Sequence, residues 1–146
     1  MKLKQLSVFL ENKPGALSAP CRLLAKAGIN IQTFSLADTR EFGILRLVVE
    51  DSDRARRLLI RNGFAVKITE VVALEVTDAP GGLAAILDAL DGSGINVEYA
   101  YAFTAKQGER GLLLFRFNDP DGAVKILKAR KISTVSSDEL SKRLKG

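Results

Sequence analysis

The chain has no histidine and no tryptophan, and one cysteine among its 146 residues. Without histidine it lacks the commonest general base and the commonest metal ligand. Zinc chemistry and any serine–histidine or cysteine–histidine device are excluded within these residues. Catalysis would have to rest on carboxylates or lysines, and no convergent acid–base set can be assembled from them. The chain is therefore not expected to be an enzyme, and no cofactor or metal is expected. Cys21 can form no internal disulfide; its position in the pattern is apolar, so it reads as a small core residue in a reducing compartment. No apolar run approaches the length of a membrane span, and no basic-then-apolar leader is present. The expected location is the cytoplasm.

Hydrophobic residues make up 47% of the chain, enough for one ordinary core or two small ones. The net charge of +5 is unevenly placed: residues 1–70 hold 12 Lys/Arg against 7 Asp/Glu, and the remainder holds 10 of each. The excess concentrates in "DRARRLLIR", with Arg54, Arg56, Arg57 and Arg61. This stretch reads as the solvated face of an amphipathic helix, with a nucleic-acid surface as the competing reading. The strand-like "RGLLLFRF" (110–117) places Leu112 and Leu114 where an RNA-binding sheet needs stacking aromatics. Nucleic acid is not an expected partner.

What the chain does have is an internal repeat. "NKPGAL" (12–17) returns as "DAPGGL" (78–83), and each is followed at the same distance by Gly-Ile-Asn. At an offset of 66, identical residues stand at Pro14/Pro80, Gly15/Gly81, Leu17/Leu83, Ala19/Ala85, Leu24/Leu90, Gly28/Gly94, Ile29/Ile95 and Asn30/Asn96. After a two-residue insertion the offset becomes 68, matching Asp51 with Asp119, Asp53 with Asp121 and Ala55 with Ala123.

Periodicity switches in the same order in both copies. "LKQLSVFLE" alternates as a strand. Pro-Gly then opens a helical stripe, Leu17, Cys21, Leu24, Ala25 in copy one and Leu83, Ile86, Leu87, Leu90 in copy two. Pro20 fits only near the first turn of such a helix. Gly28 and Gly94 fall where these helices stop, since glycine accepts the left-handed backbone there. "INIQTFSLAD" and "FGILRLVVE" form a hairpin, matched by "INVEYAYAFTA" and "GLLLFRFN" around a turn at Gly108. A second helix follows in each copy, with Asp53 and Asp121 as N-caps or first-turn acids. The first copy closes on "AVKITEVVALEV", which is long enough to open the second copy without a linker, and the second closes on "ISTVS" (132–136). Each copy reads βαββαβ. The predicted fold is α+β, two tandem ferredoxin-like domains at residues 1–70 and 71–146, with antiparallel sheets and helices on one face.

With these motifs, "ENKPGALSAPCRLLAKAGINI" and "TDAPGGLAAILDALDGSGINV", the chain resembles the ACT domain, a small βαββαβ regulatory module that binds amino acids. The resemblance spans essentially all 146 residues. It implies a ligand site where two such domains pair, built from the loop after the first strand and the start of the second strand. Carried over, the ligand-binding residues are Asn12, Pro14, Gly15, Ala16, Leu17 and Asn30 in copy one. The matching set in copy two is Asp78, Pro80, Gly81, Gly82, Leu83 and Asn96. Serine-binding members place a histidine two residues before the loop asparagine; Leu10 and Val76 stand there, so serine is not the implied ligand.

The chemistry suits an α-amino acid. A helix entry offers unpaired N–H groups to a carboxylate, and glycine permits close approach. Asn12 and Asn30 each carry donors and an acceptor, whereas ionised Asp78 only accepts. The two loops are therefore expected to bind unlike, with the first favoured. The competing reading is purely architectural: Asn12 and Asp78 would satisfy turn N–H groups, and Pro-Gly would be an ordinary helix entry. The acids at Asp51, Asp53, Asp119 and Asp121 read as caps rather than metal ligands. The expected function is an amino-acid sensor that changes its domain arrangement and so acts on a partner enzyme or regulator. Its two copies are read as a side-by-side pair, doubled again in a homodimer. The alternative is an obligate regulatory or assembly subunit of a biosynthetic enzyme that binds no ligand itself.

Overall fold

The computed structural model describes residues 2–38, 40–107 and 110–145. Along them run β1 (Leu3–Glu11), α1 (Ser18–Lys26), β2 (Ile31–Asp38), β3 (Phe42–Val49), α2 (Ser52–Arg61) and β4 (Ala65–Thr77). These are followed by α3 (Gly82–Leu90), β5 (Val97–Gln107), β6 (Arg110–Phe117), α4 (Pro120–Ala129), β7 (Thr134–Val135) and α5 (Ser137–Lys145). The turn expected at Gly108 lies outside the described residues.

Contacts divide the chain into Lys4–Thr69 and a second unit of Glu70–Gly146 with Met1–Leu3. In the first unit the strands lie in the order β2-β3-β1-β4; in the second the order is β5-β6-β4-β7. Both orders are those of the predicted βαββαβ arrangement, and the α+β class holds. Neighbouring strands run antiparallel, with Val8 opposite Leu45 in one unit and Leu74 opposite Leu113 in the other. β4 is one uninterrupted strand of 13 residues whose first five belong to the first unit and the rest to the second.

The repeat is most complete in the cores. Leu6, Val8 and Leu10 of β1 pack with Leu24, Leu47, Val49, Ala55 and Leu59. Val72, Leu74 and Val76 of β4 pack with Leu90, Phe115, Phe117, Ala123 and Leu127. Every residue of the first list has its counterpart in the second at an offset of 66 or 68, because alternate residues of a strand face one side and meet the helices there. Burying one such side chain stabilises by about 2 kcal/mol. In the second unit the rings of Phe115 and Phe117 stack, 5.5 Å between centroids.

Three of the four repeated helices also end alike; α3 instead stops at Leu90, four residues before Gly94, with Asp91 extended and donating to the Asp88 carbonyl. After α1 the Gly28 N–H donates to the Ala25 carbonyl and the Ile29 N–H to Leu24, with Gly28 at φ +71°. This pair of bonds satisfies carbonyls that would otherwise be orphaned, and it needs a left-handed residue. α2 closes identically, with Gly63 and Phe64 donating to Ile60 and Leu59. α4 closes with Lys131 and Ile132 donating to Lys128 and Leu127, and there the left-handed residue is Lys131, φ +58°.

Two expectations need correction, and two hold with tighter bounds. α1 begins at Ser18, not at the Pro-Gly pair, so Leu17 is its N-cap and is exposed rather than part of a buried stripe. Pro20 consequently lies in the first turn, where its missing N–H leaves no helical bond unmade. In α3 only Ile86, Ala89 and Leu90 are buried; Leu83 and Leu87 face outward, because a helix lying on a sheet buries a narrower stripe than periodicity alone offers. "ISTVS" contributes only Thr134–Val135 to the sheet, pairing with Leu74 and Ala73.

The chain then turns into α5, which the sequence reading lacks. Ser136 accepts from the Glu139 N–H at 3.2 Å, a serine cap with a glutamate three residues on. Arg143 of α5 ion-pairs with Glu75, and Leu140 is buried. Glu75 alternates with the core residues Leu74 and Val76, so α5 covers the sheet face opposite α3 and α4. No helix in the described residues is long and apolar enough to cross a membrane.

Candidate functional site

The repeated Pro-Gly pair is a tight turn in both units. The Ala16 N–H donates to the Lys13 carbonyl at 3.2 Å, and the Gly82 N–H to the Ala79 carbonyl at 3.0 Å. Proline stands second in each turn and glycine third, at φ +85° for Gly15 and +88° for Gly81. That combination is a type II turn, which presets the second residue with proline and requires a positive φ at the third. A second backbone bond tightens each loop, Lys13 N–H to Glu11 and Ala79 N–H to Thr77. Ala16 and Gly82 therefore have no amide left for a ligand; the Pro-Gly pair leads straight into α3, with Gly81 as its N-cap, but stands apart from α1, which begins at Ser18. The available donors lie one step further, in the first turns of α1 and α3.

There the two helices of each unit part company. α2 is capped by Asp51, whose side chain accepts from the Arg54 N–H at 3.1 Å, and α4 by Asp119, which accepts from Gly122 at 3.1 Å. Asp53 and Asp121 are the accompanying first-turn acids; Asp121 meets Lys2 at 2.8 Å and Asp53 meets Lys4 at 3.8 Å. The N-cap residues of α1 and α3, Leu17 and Gly81, make no side-chain cap hydrogen bond. Neither helix is closed by its own N-cap residue, so its positive end faces the repeated turn.

Asn12 sits at the end of β1, held by its N–H to the Glu41 carbonyl at 2.9 Å. Its side-chain Nδ2 reaches the Arg40 carbonyl at 3.5 Å, and its Oδ1 accepts no bond among the described residues. The turn-capping role is thus not what Asn12 performs; the turn closes on backbone alone. Lys13 is answered by Glu11 at 2.8 Å, and that hydrogen bond holds the Glu11 carboxyl below its ordinary range. Leu17, five residues beyond Asn12, and Phe42, opposite Glu11 in the β1–β3 ladder, are exposed, 37% and 54% accessible. No atom lies within 4 Å of a Cβ built on Gly15, so the turn is open.

Asn30 is exposed and its side chain makes no hydrogen bond among the described residues. It precedes β2, next to the Val49 end of β3, whereas Asn12 lies beside the Phe42 end. β3 has eight residues, so about 23 Å separates the two. A single unit does not bring them together. In the second unit Asn96 is fixed in the same position by a pair of bonds, its N–H to Asn118 Oδ1 at 2.8 Å and its carbonyl from the Asn118 N–H at 3.1 Å.

The second turn differs in its packing. A Cβ on Gly82 would lie 2.0 Å from the Thr77 carbonyl oxygen, so the chain there admits only glycine, whereas Ala16 occupies the matching place in the first turn. An open cleft of about 180 Å³ borders Thr77, Gly82, Ala85 and Lys131. Asp78 borders another of about 300 Å³ with Phe103 and Leu112. Leu10 and Val76, where histidine would have offered a polar contact, are buried in the two cores. Cys21 is half-buried, and burial pushes its thiol pKa up, away from reactivity.

The model of the family described as the ACT domain pair matches residues 1–144. Among solved structures, a protein from Bacteroides thetaiotaomicron is 37% identical with a TM-score of 0.89, over 96% of both chains. The ligand-free regulatory subunit of aspartate kinase from Thermus thermophilus is 16% identical with a TM-score of 0.62, over 86% of this chain and 91% of that one. The corresponding subunit from Thermus flavus gives 16% and 0.58, over 86% and 90%. No curated protein matches the chain.

Proposed function

The chain belongs to the ACT domain pair family, and on that premise we propose that it is a regulatory protein that binds a free amino acid and relays its presence to a partner enzyme or regulator. One observation carries this reading. At the repeated turns the N-cap residues of α1 and α3, Leu17 and Gly81, make no side-chain cap, while α2 and α4 are each capped by an aspartate. The N–H through which Asp51 and Asp119 cap their helices has its counterpart at Ala84 in α3 but is missing at Pro20 in α1, so a carboxylate at α1 would accept from the Ser18 and Ala19 N–H groups. The ligand's ammonium would donate to Asn12 Oδ1, and the open turn at Gly15 would let it approach the backbone. At the second turn Asp78 replaces the amide, so the first site is the stronger one for a zwitterion.

Asn12 and Asn30 lie at opposite ends of one unit, so a ligand touching both would lie between two ACT units, such as those of a homodimer. The exposed Leu17 and Phe42 are apolar surface that such pairing would cover. The regulatory subunits of aspartate kinase share the fold, which supports a regulatory role over a catalytic one.

Calorimetric titration against the twenty amino acids tests the proposal. At least one should bind saturably, and Asn12→Ala should weaken it about tenfold with an unchanged melting midpoint, as for one lost charge-assisted hydrogen bond. Silence across all twenty at millimolar concentration contradicts the proposal. Co-purification with a larger enzyme, together with that silence, would favour a subunit that binds no ligand.

A further inference from the structure

α2 carries Arg54, Arg57 and Arg61 at spacings of three and four, one stripe along its surface. With Leu58 and with Ala27, at the end of α1, they line a cleft of about 360 Å³ that has no acidic lining residue. Arg54 donates to the Ala27 carbonyl at 2.6 Å, which both fixes its guanidinium over the cleft and covers the acceptor there. At the end of α1 the Ala25, Leu24 and Leu23 carbonyls accept from Gly28, Ile29 and Ala27. The polar side chains lining the cleft are donors alone. Arg57 and Arg61 have no ion-pair partner among the described residues.

The fold does not require this stripe. The matching positions of α4 are Gly122, Lys125 and Ala129, and α4 packs on its sheet through Ala123 and Leu127 as α2 does through Ala55 and Leu59. Like charges three and four residues apart repel, and Arg54 adds a cation to the positive end of its own helix. Arg61 in the last turn and Asp53 four residues before Arg57 offset part of this, but the cleft itself is lined by no counter-charge.

We propose that this cleft is a binding site for a small phosphate-bearing anion, separate from the amino-acid site at the turns. Guanidinium forks match phosphate oxygens two at a time, and three of them on one wall suit a group with several acceptor oxygens. An extended nucleic-acid track would need basic residues continuing beyond the cleft, and residues 71–146 are balanced in charge.

Titration of the full chain with inorganic pyrophosphate at low salt is the test. Saturable binding at one site per chain is expected. Arg57→Gln with Arg61→Gln should weaken it about a hundredfold, about tenfold for each charge-assisted contact, without lowering the melting midpoint. Arg57→Lys, which keeps the charge and loses the fork, should fall between and serves if the double variant does not fold. Absence of saturable binding overturns the proposal, as does equal affinity in the folded variants. A single strand of about a dozen nucleotides that binds more tightly than pyrophosphate, with steep salt dependence, overturns it in favour of nucleic acid.

Discussion

Gly63 and Lys131 stand at the same place in the two units, just past the second helix, and both hold a left-handed backbone. Ala16 and Gly82 also correspond, yet only the second is pressed against a carbonyl oxygen, that of Thr77. The cores, by contrast, share eight matched positions, although Ile86 of α3 stands where the first unit has Pro20. A duplicated fold thus keeps what its packing demands, and its turns drift where the backbone tolerates more than one solution at a cost of about 1 kcal/mol. Function has room in that tolerance, since Asn12 against Asp78 is another such difference.

The comparison can be broken at three points. The largest effect belongs to the cores. Leu24→Ala and Leu90→Ala should each destabilise by about 3 kcal/mol in chemical denaturation, since both side chains are buried at the same place in their units. A loss below about 1 kcal/mol in either would show that the cores are not equivalent. Next comes the turn. Gly82→Ala should cost about 2 kcal/mol through its clash with Thr77, while Ala16→Gly should change stability by under about 1 kcal/mol. Equal effects would remove the distinction drawn between the loops. The smallest effect has the opposite sign: Lys131→Gly should stabilise by about 1 kcal/mol and raise the melting midpoint, and Gly63→Lys should lose a similar amount. If Lys131→Gly destabilises, the lysine side chain does something at that cleft beyond adopting its backbone.

The repeat is legible because identical residues recur where geometry leaves little choice: Gly15 and Gly81 in type II turns, Asp51 and Asp119 as caps. The start of α1 was not legible. Pro-Gly occurs equally at a helix entry and within a preceding turn, and only the bond from Ala16 to Lys13 decides between them. The separation of Asn12 from Asn30 is set by strand direction, which no local pattern encodes. α5 differs in kind, since "SSDE" carries a capping signal but the polar segment after it has little apolar periodicity to mark a helix. The burial of Leu10 and Val76 follows from alternation along their strands and needed no structure.

β4 closes one sheet and opens the other within a single strand, with no turn between Ala65 and Thr77. A protease or a gene-level cut aimed at the midpoint of the pair would therefore fall inside hydrogen-bonded backbone rather than in a tether. Such a pair cannot be shuffled one module at a time: any recombination that preserves both sheets has to move the two domains together.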